Sequence, residues 1–594
     1  MTRKTLLLIV ILVVTAALAG TLWLVRGVDQ NERARDRALS SRSTIDRNGT
    51  LSFLPAEALA MVRISGLGRG LELLEESSLG QRLARMDLPG IMLAAGAAQE
   101  DIFRVRQLVE SGEWRIWREL FKALFGQETV IGLLPGNGRG VRGTLPVMPV
   151  IPKGLVVISR PGQGAGLLSL LPSFIPGLEQ KQVSSFQGRT IREMALDQGL
   201  SLYHCSSEEY LLLALDPGSL VRLLKVRAGT VRSLVADDDF RQEQSRISGD
   251  LALAYLNSGG LSSLLERLRG RTERDQSLGT GLLSAVRSAV VGLSRAGDGL
   301  VEHKGSLALC PEALTPAQRR GLSSGPADPE PFLALAPEGT NLVIWQGGFA
   351  PAVLWPETGS WGPELEQLFG GGRERLTAIS EGQAGILVRD LLTAGMFAVP
   401  ECAVVVRTED DLLSPMIRSV LRRIESSTGL ALSVSRVRDQ GLELHQISMP
   451  LGGRLQPSWS RVGEYEVLTT NQVFLHDIWE ARSRGQGLLD QSGFDRVGSP
   501  LVGPGNGFQF MRLKACLEMV RTMLSQVALA TRLRGDEAAR FRLVMTELID
   551  PLLQELQAFQ AFATRISMSP EGLSFQGLLS TVRLEPDLEK GSGP

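Results

Sequence analysis

The sequence predicts an α+β protein: an N-terminal transmembrane helix followed by two duplicated α+β half-domains with mainly antiparallel sheets. Three observations predict it. The stretch Pro55–Leu83 (PAEALAMVRISGLGRGLELLEESSLGQRL) returns as Pro337–Leu365, with Gly66 matching Gly348, Gly80 matching Gly362 and Leu83 matching Leu365. A repeat near half the chain length marks a duplicated domain, because solenoid periods are far shorter. Short apolar runs bounded by glycine turns recur in both halves, as antiparallel strands require. Ahead of both lies an apolar run from Leu6 to Val25, broken only by Thr15, Gly20 and Thr21.

That first run is long enough to span a bilayer, about 30 Å at 1.5 Å per residue. Arg3 and Lys4 precede it as in an export signal, and Ala17-Leu18-Ala19 resembles a cleavage site. The apolar run continues through Leu22–Val25, which favours an uncleaved anchor over residues 1–26. Residues 27–50 read as a juxtamembrane linker. Their arginines, Arg33, Arg35, Arg37 and Arg42 with Arg26 before them, favour a cytoplasmic C-terminal side by positive charge alone. A large domain behind a signal-like segment favours export instead, and the reading adopted places the bulk of the chain in the periplasm.

The first α+β repeat, 51–312, opens with a strand over Ala58–Ser65 and a helix carrying Leu71 and Leu74. A helical stretch over 98–125 presents Trp114, Trp117, Leu120, Phe121 and Leu124, and a strand follows at Thr129–Leu134. LVVIS after Gly154 is a strand before a Leu-rich helix at Leu167–Leu171, and AVVVR after Cys402 is its counterpart in the second repeat, 333–584. Gln187-Gly188 and Gln440-Gly441 mark hairpin turns. Glu209-Tyr210 and Glu464-Tyr465 each open a strand before a helix, at Leu220–Leu224 and Val473–Trp479. ALAYLN (252–257) matches FQFMR (508–512), and Phe240 matches Phe494. Asp298-Gly299-Leu300 and Glu571-Gly572-Leu573 start the closing strands. Residues 313–332 carry the Pro/Gly/Ser signature of a linker, and 585–594 read as a disordered tail.

This order resembles an uncharacterised bacterial exported group, domain-of-unknown-function family 3352. The resemblance rests on PAEALAMVRI with its copy PEGTNLVIWQ, on the anchor ahead of them and on the closing strands. It implies an envelope-facing protein and supplies no reaction.

The net charge of -1 and pI of about 6.5 provide no field that would recruit nucleic acid, and aromatics are only 5%, too few for base-stacking platforms. Cys205, Cys310, Cys402 and Cys516 form no C-x-x-C and read as free thiols. Gly66-Leu67-Gly68-Arg69-Gly70-Leu71 lacks the third glycine of a dinucleotide turn. Gly321-Leu322-Ser323-Ser324-Gly325 matches a nucleophile elbow in letters, but Arg319-Arg320 precede it and Pro326 follows. His204, His303, His445 and His476 have no partner at metal-ligand spacing, and Asp237-Asp238-Asp239 reads as a helix cap. The Arg/Gly loop Pro135–Gly143 reads as solvent-exposed, with phosphate or headgroup binding as the alternative. No catalytic, cofactor or metal residue is assigned. The expectation is a membrane-anchored envelope protein, binding or scaffolding without catalysis, held in the inner membrane through residues 6–25 and meeting an envelope protein or a lipid. The alternatives are a carrier or sensor of a lipid or other apolar ligand in a groove between the repeats, which requires apolar residues on an open sheet face, and a hydrolase assembled from distant residues.

Overall fold

In the computed structural model the short apolar runs are strands. The described residues are 49–581, apart from 136–152, 162–179, 261–284, 349–381, 449–454, 531–540, much of 77–123 and several shorter breaks. The anchor, most of the juxtamembrane linker, the Leu167–Leu171 helix and the C-terminal tail lie outside them. Among the described residues no helix is long and apolar enough to cross a membrane. The fold class is α+β, with twenty strands among the described residues, whose pairings there are all antiparallel.

The chain divides into two compact units. The first comprises Met1–Leu265, Ser288–Asp298 and Arg534–Glu555. Its strands are β1 (Ala60–Ser65), β2 (Glu128–Leu133), β3 (Leu155–Arg160), β4 (Gln180–Phe186), β5 (Arg189–Ala195), β6 (Ser201–Ser207), β7 (Tyr210–Ala214), β8 (Ala252–Asn257) and β9 (Val286–Gly297). They pair in the order β9–β8–β1–β2–β3–β7–β6–β5–β4. Helix α1 (Leu67–Glu76) follows β1 through Gly66, whose φ of 67° is a left-handed turn conformation. Gly68 in α1 packs against the backbone of Lys122 and Gly126, so a side chain there would clash. Helices α2 (Pro217–Arg227) and α3 (Asp238–Arg246) cover one sheet face. Their Leu220, Leu223, Leu224 and Phe240 meet Met61, Val130, Ile158, Leu212 and Leu253 in a buried core.

The second unit comprises Glu266–Arg287, Gly299–Leu533 and Leu556–Pro594. Its strands are β10 (Leu300–Leu309), β11 (Leu342–Gly347), β12 (Gln383–Ala394), β13 (Phe397–Arg407), β14 (Val434–Asp439), β15 (Leu442–Ile447), β16 (Ser458–Val462), β17 (Tyr465–Thr469), β18 (Gly507–Arg512), β19 (Phe559–Ser569) and β20 (Gly572–Thr581). Their order is β10–β20–β19–β18–β11–β12–β13–β17–β16–β15–β14. The neighbours from β18 to β14 thus run as those from β8 to β4. Leu300–Leu309, read in the sequence as the closing strand of the first repeat, counts with the second unit, where it pairs with β20. Aromatic rings fill glycine gaps in that pair: His303 lies over Gly577, and Phe575 lies over Gly305.

Local chemistry matches too. Asp216 accepts the Ser219 N–H at 3.0 Å to cap α2, and Asn471 accepts the Phe474 N–H at 2.7 Å to cap α7 (Gln472–Arg484). Arg160–Glu209 and Arg407–Glu464 are both 2.7 Å ion pairs beside the buried Tyr210 and Tyr465, whose hydroxyls burial pushes up to about 12. Edge-on rings back each tyrosine, Phe53 in one unit and Phe332 in the other. Residues 313–332, expected as a bare linker, are structured: they carry α4 (Pro316–Leu322), capped by Thr315, and lead into α5 (Glu330–Leu333). Phe332 and Leu333 are fully buried there, because the apolar PFLALA that ends the polar stretch supplies core residues.

Helices α6 (Leu413–Thr428), α7 (Gln472–Arg484), α8 (Ser492–Val497) and α9 (Leu513–Ala530) complete the second unit's described helices of interest. Phe474, Leu475 and Ile478 of α7 and Phe494 and Val497 of α8 enter the core with Val343, Trp345, Val405, Val467 and Phe510. An ion-pair network anchors α7. A bulge frees Arg389 from the β12–β13 register, and its guanidinium donates to both oxygens of Glu401, at 2.6 and 2.7 Å, and to Asp477 of α7. Asn471 donates to Glu401 at 2.6 Å, and Arg389 stacks 4.7 Å over Phe474. Glu401 holds Arg389 above the usual arginine range against the effect of burial. Arg389→Met leaves Glu401 buried without its partner, so it should cost about 3 kcal/mol in urea unfolding followed by tryptophan fluorescence. Arg436→Gln breaks an exposed pair with Glu443 and should change stability by less than about 0.5 kcal/mol.

Candidate functional site

Strand alternation decides which side chains each sheet shows to either side. In the first unit Met61, Val130, Val156, Ile158 and Leu253 face the core, so the intervening Val62, Ile131, Val157 and Ala254 face the other way. There they form one row across paired strands, Val291–Ala254–Val62–Ile131–Val157. Val62, Ile131 and Val291 are 38 to 40% exposed. Past Val157 the face is covered by a small buried cluster of Leu124, Met194, Leu211 and Leu213.

The second unit places the same kind of row at the same place in its strand order, Ile344–Ile386–Val404–Leu468 on β11, β12, β13 and β17. Ile344, Ile386 and Val404 are likewise 38 to 40% exposed. Helix α6 closes the end at Leu468, with Leu413, Ile417 and Leu421 against Trp459 and Ile447. Glu466 seats that helix by accepting the Leu412 and Leu413 N–H groups at 3.0 and 2.8 Å. Beyond Ile344 the row turns polar, at Gln509 and Thr564.

An exposed row of branched aliphatic side chains offers contact area and no directional polar group, so it suits an acyl chain or other apolar ligand. Covering what remains exposed of one such side chain stabilises by roughly 1 kcal/mol, and a row of three by roughly 3 kcal/mol. Sequence reasoning did not single out these residues. A signal for them existed: AMVRI, TVIGL, LVIW, GILV and AVVV are apolar at both parities, whereas a sheet wetted on one face alternates.

The four histidines fall in separate places. His204 on β6 is buried opposite Arg192, and His303 on β10 stacks on Phe562 with Nε2 2.8 Å from the Thr564 hydroxyl. His445 stacks on Trp459 at 4.9 Å. His476 on α7 sits 3.0 Å from Asp439, which also accepts from Gln472 at 2.9 Å. That dyad has no hydroxyl or thiol among the contacts described for it. Asp237 caps α3 through the Phe240 N–H, and Ser323 ends α4 with its hydroxyl on the Arg319 carbonyl, outside any strand–turn–helix elbow. All four cysteines are free thiols. The Arg/Gly loop, from 136 on, lies outside the described residues, as do the juxtamembrane arginines. No family model matches the chain, and neither the curated proteins nor the solved structures contain a match to it.

Burial pulls His204 and His303 down to about 4, with Arg192 adding to the effect on His204 and Glu302 opposing it on His303. Both are neutral when folded, whereas the unfolded chain takes up protons below about 6.5. Their contribution is therefore complete above pH 6.5 and lost as pH falls towards 4, by up to about 3 kcal/mol for each histidine. Urea unfolding between pH 4 and pH 7 should show His303→Gln flattening this slope relative to the wild type.

Proposed function

We propose that the chain is a membrane-anchored binding protein of the bacterial envelope, with its bulk in the periplasm, that takes an apolar ligand on the open sheet face of each half. The observation that carries this reading is the pair of half-exposed aliphatic rows at equivalent strands of the two units. The anchor at residues 6–25 would keep both rows near a bilayer, a source of acyl chains. Equivalent strand order, caps and buried tyrosines support descent of the halves from one duplicated α+β unit. A filled core with a polar exterior, as a pure scaffold requires, would not leave these rows open. The hydrolase alternative needs a histidine, a carboxylate and a nucleophile in mutual reach, and the described contacts of His476 supply only the first two.

The full chain, extracted from membranes in mild detergent and weighed under native conditions, should carry an added mass in the acyl-lipid range. Threonine keeps the β-branched shape that strands favour while removing apolar surface. The combined Val62→Thr, Ile131→Thr, Ile344→Thr and Ile386→Thr variant should therefore stay folded and retain several-fold less of that mass. Equal retention by the variant, or a protein-only multimer without lipid, would overturn the carrier reading and favour a scaffold.

A further inference from the structure

A cleft of about 760 Å³ opens within the second unit where β11, β18, β19 and β20 end together, between α8 and the start of α9. That volume is in the range of small-molecule sites and exceeds what a bare ion fills. The charged residues described in its lining are Arg496, Arg512, Lys514 and Glu518.

Two of these cations, Arg512 and Lys514, are not explained by internal pairing. Arg512, the last residue of β18, is half-buried, and among the described residues neither it nor Lys514 has a carboxylate within ion-pairing reach. Burial pulls Arg512 below the usual arginine range, with Glu338 only partly offsetting it. Lys514 sits in the first turn of the 18-residue helix α9, which has no acidic residue there. A cation at that end opposes the helix dipole instead of complementing it. Three sources of positive potential therefore converge on a solvent-connected space. A second feature aims polar groups into the same space. The β19–β20 register breaks between Phe559 and Ala561, so Gln560 leaves the ladder and lines the cleft beside Gln557.

We propose that this cleft binds the phosphoryl group of a phosphate ester, with Arg512 and Lys514 as its principal ligands. The guanidinium fork matches two phosphate oxygens, and the ammonium adds a compact charge beside it. Gln557 and Gln560, each able to donate and accept, face the organic part of the ester. Glu518 opposes binding through like charge. The ester is either a soluble metabolite or a phospholipid headgroup; the phosphoryl chemistry is common to both. This site is distinct from the aliphatic rows and does not depend on them.

The test is calorimetric titration of the detergent-solubilised full chain with glycerol 3-phosphate, at ionic strength held constant with chloride. Saturable binding is expected, weakened at least tenfold in the R512Q/K514Q double variant and strengthened several-fold in E518Q. A response to glycerol 3-phosphate no different from that to chloride would overturn the proposal. So would unchanged affinity in the folded double variant or, should that variant fail to fold, unchanged affinity in E518Q. Competition by dihexanoyl phosphatidylglycerol would uphold the site and assign it to a headgroup; saturable binding without such competition would uphold it for a soluble ester.

Discussion

An antiparallel strand sends alternate side chains to opposite faces, so every wide sheet has two faces to dispose of. Here one face of each sheet is closed by helices whose caps fix their entry: Asp216 and Asn471 start α2 and α7, and the leucines and phenylalanines that follow fill the core. The other face is covered only in part. Leu124 with its neighbours closes one end in the first unit, and α6 closes one end in the second. Among the described residues part of what stays exposed there is aliphatic, and the proposed function follows from that part.

The second unit shows how the covered face is held in register. Arg389 can reach both Glu401 and Asp477 because a bulge takes it out of the β12–β13 ladder. Gln560 leaves β19 by the same device and lines the cationic cleft. One local irregularity locks a helix to the sheet and the other equips a cavity. The half-buried Arg389 and buried Glu401 satisfy each other, whereas Arg512 and Lys514 have no described carboxylate within ion-pairing reach. That contrast separates a structural ion pair from a candidate ligand site.

Strands were the most legible part of the sequence. Ala58–Ser65, Thr129–Leu134, ALAYLN and FQFMR fall on β1, β2, β8 and β18 with shifts of a residue or two at their ends, because short apolar runs between turn residues admit little else. The turn at Gly66 and its counterpart Gly348 were legible for the same reason, and both adopt positive φ, 67° and 64°. The α+β class followed from those elements. Residues 313–332 read as a linker because proline, glycine and serine mark their composition, while Leu314, Leu322 and Phe332 among them are buried. The bulges at Arg389 and Gln560 leave no mark in composition or periodicity. The convergence of Arg496, Arg512 and Lys514 depends on strand order, which no local pattern encodes. The exposed rows lay between these extremes: the runs were visibly apolar at both parities, but which parity lacks a cover is decided by tertiary packing.

If each sheet presents an equivalent aliphatic row, the chain has two apolar sites and not one. Titration of the delipidated full chain with an environment-sensitive fluorescent fatty acid, read as stoichiometry at saturation, tests this most directly. Two ligands per chain, falling to one when Ile344→Thr and Ile386→Thr are combined, is the predicted result. No saturable binding, or a stoichiometry indifferent to those substitutions, would contradict it.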